Sequence, residues 1–468
     1  MIFHSLLYLL FFAVVLSIYW ALPRRGQNLL LVAASYLFYG WEHPWFLLPL
    51  WASTLVDYAC ALGIERSPPW RKVFLCVSIG ASVALLATFK YAGFAIENVN
   101  ALLAQFQAEP WHATMRLVLP AGLSFYTFQS IGYVVDVYAG RVRAVRYLPD
   151  YALYVSFFPQ LVAGPIERAG HMLPQYRSTR VFDATAWQQG LSLMLWGFFK
   201  KLVIADNVAL VANKVFALSQ PTFPVLWAGV LAFAVQIYAD FSGYTDIARG
   251  SARLLGIELM RNFNHPYLAT SPADFWRRWH ISLSTWLRDF IYIPLGGSRR
   301  GAARAALNLM LTFSLSGLWH GASWNYVLWG VYWGLLIVGQ RLLTSAGLSR
   351  WLPWALKVAC TFGVTCVGWL LFRERDLAQI LHDLALSPFA AGAGDWQVAR
   401  YLVALVMFYT LPLTVHLICT GLRPDWEPTA RWPVMLRFAA QIAICALLLL
   451  GIVTARSVAT SDFIYFQF

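Results

Sequence analysis

A succession of long apolar runs with almost no charge inside them restricts this chain more than any other feature. A helix needs about 20 mostly apolar residues to cross a bilayer. Candidate runs cover residues 2–22, 28–41, 45–63, 73–94, 117–138, 187–210, 224–240, 305–320, 323–342, 353–372, 399–420 and 434–455. They define an all-α polytopic membrane protein, a helical bundle of roughly 11–12 spans with re-entrant or interfacial helices between them. Residues 151–166 are also apolar but carry Pro159 and Pro165. That segment is expected to be re-entrant, because irregular backbone survives at membrane depth only when buried in protein or water.

Composition agrees. Charged residues make up 12% of the 468-residue chain, half the share of a soluble domain. The formal net charge of +13 would suggest nucleic acid in a soluble protein. Here the basic residues fall in short loops between apolar runs, so topology accounts for them and nucleic-acid binding is excluded. The six cysteines form no CxxC pair and read as small core hydrophobes rather than a disulfide framework or metal site. The first run lacks the basic start and small-residue cleavage site of a signal peptide, so it reads as the first span, with its N-terminus outside.

Orientation follows the Lys/Arg bias. Arg24/Arg25, Arg66/Arg71/Lys72 and Arg141/Arg143/Arg146 occupy alternate loops, which are assigned to the cytoplasm, as is the Arg-rich stretch 241–304. The C-terminus then falls outside. Lys200 and Lys201 lie inside the run 187–210, which demands either a broken span or different boundaries. One membrane domain covers 1–468: N-terminal spans at 1–240, a cytoplasmic or interfacial segment at 241–304, further spans at 305–342 and 353–455, and an aromatic tail at 456–468. In 241–304 the aromatics Phe275, Trp276, Trp279, Trp286, Phe290 and Tyr292 are expected at headgroup depth, with the arginines reaching water.

Several chemistries are missing. There is no GxSxG elbow, no HExxH or paired CxxC, and no GxxxxGK[ST] loop. No metal or bound cofactor is expected. Gly296–Gly301 (GGSRRG) reads as a basic turn near an anionic ligand.

Two histidines stand out. His320 lies between apolar runs in Ser316–Trp324 (SGLWHGASW). An ionisable residue at membrane depth is costly and marks a functional site by default. Gly317 and Gly321 flank it one helical turn apart, clearing space for a neighbouring helix or a substrate. The plainer reading is a hydrogen-bonded packing histidine. His280 lies in Asp274–Asp289 (DFWRRWHISLSTWLRD), where a solvated or headgroup-contacting ring is the plainer reading. Arginines beside it suit phosphate, which guanidinium binds bidentately. A base able to take a hydroxyl proton, next to a basic rim for a phosphate-bearing thioester, describes acyl transfer to a hydroxyl.

Asp274–Gly301 together with Gly317–Trp324 (GLWHGASW) resembles the membrane-bound O-acyltransferase superfamily, in particular its bacterial alginate O-acetylation branch. Leu119–Val137, Phe158–Arg168, Tyr238–Asp246 and the ending Phe463–Phe468 (FIYFQF) agree, so the resemblance extends over essentially the whole chain. It implies a bundle around a transmembrane tunnel in the bacterial cytoplasmic (inner) membrane. It also implies His320 as catalytic histidine and His280 as a second motif histidine of less settled role. The implied reaction passes acetyl from cytoplasmic acetyl-CoA across the membrane to an exopolysaccharide or cell-wall glycan, alginate-like by preference. A periplasmic SGNH-type acetyltransferase or the polysaccharide itself would be the partner. The GGSRRG segment favours acetyl-CoA over D-alanyl or other acyl transfer from a carrier-protein thioester.

In this reading Arg277, Arg278, Arg299 and Arg300 are candidates for the donor phosphates. Asp240, Asp246 and Asn262 are candidates for orienting the imidazole. Tyr465 is the only hydroxyl in Phe463–Phe468 and a candidate acyl relay, since a phenol ester is more reactive than a sugar ester. An interfacial aromatic anchor is the alternative for this tail. A transporter or flippase, or a scaffold recruiting a periplasmic transferase, also fits the hydropathy.

Overall fold

Each apolar run forms the body of a helix, as the absence of water at membrane depth requires. The computed structural model describes residues 1, 3–111, 118–162, 164–345, 347, 352–422, 434–457 and 463–464. The chain is 79% helical, with no strand among the described residues. Six helices are long and apolar enough to cross a membrane: Pro44–Arg66, Pro68–Gln105, Phe223–Leu254, Trp324–Ser345, Trp354–Arg373 and Ala393–Leu422. Shorter apolar helices cover Leu6–Tyr19 and Ala440–Ala455.

The chain forms two compact units. The first, Met1–Gly190 with Ala248–Met260, holds α1 (Leu6–Tyr19), α2 (Arg24–Gly40), α3 (Leu47–Arg66), α4 (Arg71–Leu86), α5 (Ala92–Gln105), α6 (Leu123–Tyr138), α7 (Leu148–Ser156), α8 (Phe158–Leu161) and α9 (Ala169–Arg177). The segment 151–166 breaks into α7 and α8 at Phe157–Phe158, just before Pro159, and its described residues are almost entirely buried in protein. Protein contact is what its irregular backbone needs.

The second unit is Leu191–Ile247 with Arg261–Phe468. Its elements are most of α10 (Ala184–Phe199), α11 (Asp206–Phe216), most of α12 (Phe223–Leu254), α13 (Pro272–Arg278), α14 (Ile281–Leu287), α15 (Ala302–His320), α16 (Trp324–Ser345), α17 (Trp354–Arg373), α18 (Leu377–Ala385), α19 (Ala393–Leu417) and α20 (Val434–Ala455). α10 and α11 are joined by a π-helical turn, Lys200–Ala205. The two lysines therefore sit where one continuous helix widens, and the helix is not broken.

Two expectations need correction. The span 224–240 does not end at residue 240, because α12 continues to Leu254. Its later charges have partners, Lys200 for Asp246 and Glu258 for Arg249 and Arg253, so the helix continues through a stretch that hydropathy marks as polar. The aromatics of 275–286 do not face headgroups: Phe275, Trp276, Trp279 and Trp286 are all buried in protein. Phe275 stacks on Trp333 at 5.1 Å, Trp276 meets Trp329 at 5.5 Å, and Trp279 meets Trp369 at 4.9 Å. α13 is thus packed onto α16 and α17 as a core element.

Candidate active site

α15 and α16 form a tight hairpin, and glycine makes it possible. A Cβ on Gly317 would lie 2.1 Å from the Tyr326 carbonyl oxygen, and one on Gly330 would lie 2.3 Å from that of Phe313. α15 ends on His320, where Gly321 turns to extended backbone. A Cβ on Gly321 would overlap the Tyr326 ring at 2.1 Å. The glycines predicted to clear space therefore admit the α16 backbone and a tyrosine ring. His320 is 6% exposed. Its ring lies 5.0 Å from Trp319, 5.0 Å from Trp329 and 5.2 Å from Phe372, edge-on to each.

α13 starts from Ser271-Pro-Ala-Asp274. Ser271 Oγ accepts from the Asp274 N–H at 3.2 Å, Pro272 occupies the first turn, and Gln340 accepts from the Ala273 N–H at 2.9 Å. The helix stops at Arg278, and His280 follows at φ +44°. Non-glycine residues rarely adopt this left-handed region, and where they do the surroundings hold them there. His280 is fully buried rather than solvated or at headgroups. Its Nδ1 lies 3.2 Å from Asn262 Oδ1, which also accepts from the Ser282 N–H at 3.1 Å and the Ser282 hydroxyl at 2.9 Å. A backbone N–H can only donate, so this atom of Asn262 is the acceptor and His280 Nδ1 carries the proton. Neutral His280 then presents its lone pair on Nε2. Burial pushes its pKa down to about 3, so the ring is neutral at ordinary pH. Phe241 and Trp319 pack on it at 4.8 and 6.0 Å. Trp319 therefore contacts both histidines.

Each of the three candidate orienting residues has a partner in the structure. Asn262 orients His280. Asp246 lies 2.6 Å from Lys200 Nζ. Asp240 lies 2.8 Å from Lys201 Nζ, which is also 3.0 Å from Asp206. A lysine buried at membrane depth requires counter-charges close by, and these carboxylates meet that need. Sequence reading missed Asp206 altogether. Two lysines in an apolar run, with acidic residues in the runs around it, were the available signal.

Asp240 Oδ2 also accepts from the Ile464 N–H at 2.7 Å. Phe463 is fully buried, 4.2 Å from the Tyr244 ring and 5.7 Å from that of Phe241. This part of the tail is embedded in the protein and is not an interfacial anchor. Tyr465 lies outside the described residues.

The donor-phosphate candidates differ in availability. Arg278 Nε lies 3.1 Å from Asp274, and Arg277, with a side chain 73% exposed, lies 3.4 Å from it. Burial pushes the Asp274 carboxyl up, but the Thr270 N–H and both guanidiniums outweigh it and hold it below the usual carboxylate range. Arg299 and Arg300 are exposed on the turn that follows Gly296 and Gly297, both at positive φ. Asn308 Nδ2 donates to the Gly297 carbonyl at 3.0 Å and secures this turn. Among the described residues no cluster of His, Cys, Asp and Glu could hold a metal ion.

Residues 143–370 match the membrane-bound O-acyltransferase family. The chain is 38% identical to a probable alginate O-acetylase of Pseudomonas putida over the full length of both. It is 39% identical to a probable alginate O-acetylase of Azotobacter vinelandii, covering 88% of this chain and 87% of that protein. A peptidoglycan O-acetyltransferase of Helicobacter pylori is 35% identical over 78% of this chain and 75% of its own length. The chain belongs to the membrane-bound O-acyltransferase family, in its alginate O-acetylase-like branch, and is a multi-pass O-acyltransferase. The transporter and scaffold readings fall away.

Proposed function

We propose that this enzyme takes acetyl from cytoplasmic acetyl-CoA and passes it through the bacterial inner membrane for O-acetylation of an alginate-like polysaccharide. The observation that carries the reading is His320: an imidazole at the end of α15, enclosed by Trp319, Trp329 and Phe372. Low dielectric strengthens the interactions of a base held there.

His320 takes the proton of an attacking hydroxyl. The hydroxyl oxygen bonds to the thioester carbonyl carbon, the C–S bond breaks, and the proton goes to the departing coenzyme A thiolate. Arg299 and Arg300, exposed on their turn, and Arg277 hold the donor phosphates. The first acceptor is the Tyr465 phenol, whose ester then passes acetyl to a sugar hydroxyl or to a periplasmic SGNH-type transferase. Burial of Phe463 and Ile464 beside the His280 layer supports this role for the tail.

Purified enzyme in liposomes holding radiolabelled acetyl-CoA, with an alginate oligosaccharide outside, tests the reading. Label should reach the outside sugar with wild type and drop at least 1,000-fold with His320→Ala, a loss of about 4 kcal/mol of barrier lowering. Tyr465→Phe should accept no label and pass none on. Transfer by His320→Ala at the wild-type rate refutes the assignment. Labelling from a carrier-protein thioester and not from acetyl-CoA refutes the donor.

A further inference from the structure

The carboxylate of Asp240 divides its two oxygens between different parts of the chain. Oδ1 faces Lys201 Nζ at 2.8 Å and Oδ2 accepts the Ile464 N–H at 2.7 Å. Asp240, Lys201 and Asp206 are all nearly or fully buried. A buried carboxylate is retained only when it is both paired and hydrogen-bonded, and a buried backbone N–H needs an acceptor. Asp240 and Ile464 meet each other's need.

The end of α20 and the segment after it are tied back at other points. Ala455 accepts from Asn207 Nδ2 at 2.8 Å, and the Ser457 N–H donates to the Leu202 carbonyl, in the π-helical turn, at 3.2 Å. Phe463 then packs between Tyr244 and Phe241, and Phe241 packs on His280. Asp240, Phe241 and Tyr244 lie within five residues of α12. One stretch of helix thus supplies a polar and an aromatic contact to two consecutive residues, Phe463 and Ile464.

We infer that Asp240, held in place by Lys201, is a latch that docks the C-terminal segment onto α12 beside the His280 layer. Through that docking it acts as a positioning residue for the acyl transfer; only this second role rests on the proposed function. The hydrogen bond goes to backbone, so it fixes the segment's register, while the aromatic seat selects Phe463. Asp240 therefore places the chain on which Tyr465 follows and takes no proton in the reaction.

The latch predicts an order of effects at one amide. Asp240→Asn keeps an acceptor for Ile464 N–H but loses its charge; Asp240→Leu keeps neither. Charged hydrogen bonds are roughly twice as strong as neutral ones. Residue-resolved hydrogen–deuterium exchange on the full chain should show the Ile464 amide opening about tenfold more often in Asp240→Asn and about a hundredfold more often in Asp240→Leu. Phe463→Ala, which leaves the buried charges untouched, should also open it about tenfold or more; it carries the test should the Asp240 variants fail to fold. The kcat for acyl transfer should fall in the same order, with the KM for donor unchanged. A protected Ile464 amide in all three variants overturns the latch. An open amide with unchanged kcat overturns the positioning role. Should wild type transfer no acetyl, the function reading fails, while the exchange experiment still decides the latch.

Discussion

Asn262→Ala should damage this protein more than its single side chain suggests. Its Oδ1 gathers the Ser282 N–H, the Ser282 hydroxyl and His280 Nδ1 at 3.1, 2.9 and 3.2 Å. The hydroxyl can rotate to another acceptor, but the backbone N–H and the ring N–H are fixed in a buried site. Each buried donor left without an acceptor costs about 1–3 kcal/mol, so the loss is about 2–6 kcal/mol. Ser282→Ala, by contrast, removes one donor and leaves Oδ1 two others, at a cost of about 1 kcal/mol or less. Melting of detergent-purified protein, followed through its abundant tryptophan fluorescence, should place Asn262→Ala several degrees below Ser282→Ala, and Ser282→Ala close to wild type. Equal midpoints for the two variants, or the reverse order, would refute the acceptor role of Asn262. The fixed tautomer of His280 would fall with it.

Gly317→Ala should lower stability by about 1–3 kcal/mol through overpacking against the Tyr326 carbonyl; Gly339→Ala, with nothing within 4 Å of the new Cβ, should melt as wild type does. Lys201→Met leaves Asp206 and Asp240 facing each other without their cation and should cost about 3–5 kcal/mol, seen as loss of the monodisperse peak in gel filtration. Arg141→Met, whose side chain is 54% exposed beside Asp136, should cost under about 1 kcal/mol by the same measure. The depressed pKa of His280 makes stability fall in acid. Between its unfolded value of 6.5 and its folded value of about 3, the unfolded chain binds the extra proton, so stability is full above the first value and drains as pH falls below it. The slope from this group approaches about 1.4 kcal/mol per pH unit, and a His280→Gln variant whose melting midpoint is as acid-sensitive as wild type would contradict it.

Much of the fold was legible because lipid imposes a simple rule. Long apolar runs become helices, and the runs 305–320 and 323–342 match Ala302–His320 and Trp324–Ser345 closely. What was not legible depended on partners remote in sequence. Hydropathy ended the span before Asp246, whose counter-ion Lys200 lies 46 residues earlier. Residues 275–279 read as part of an amphipathic surface because Trp329, Trp333 and Trp369, which pack on them, belong to later helices. At the site, the types of residue needed were visible but their pairing was not. Asn262 and Asp240 both orient something, the first a different histidine and the second the backbone at Ile464.

An ionisable residue at membrane depth marks a functional site by default, and this chain shows that the rule has two outcomes. Lys200, Lys201, Asp206, Asp240 and Asp246 are as anomalous by hydropathy as His320. They pair at 2.6–3.0 Å, Lys200 with Asp246 and Lys201 with Asp206 and Asp240, so their cost is offset by pairing, and Asp240 also bonds the chain at Ile464. His320 is instead set among the rings of Trp319, Trp329 and Phe372. Histidine is the one side chain of the set whose neutral form is ordinary near neutral pH, which suits it to an aromatic enclosure. A buried lysine or aspartate, by contrast, needs a partner of opposite charge close by. The same membrane that makes all of these residues costly therefore sorts them, the lysines and aspartates into ion pairs and the imidazole into an enclosure of aromatic rings.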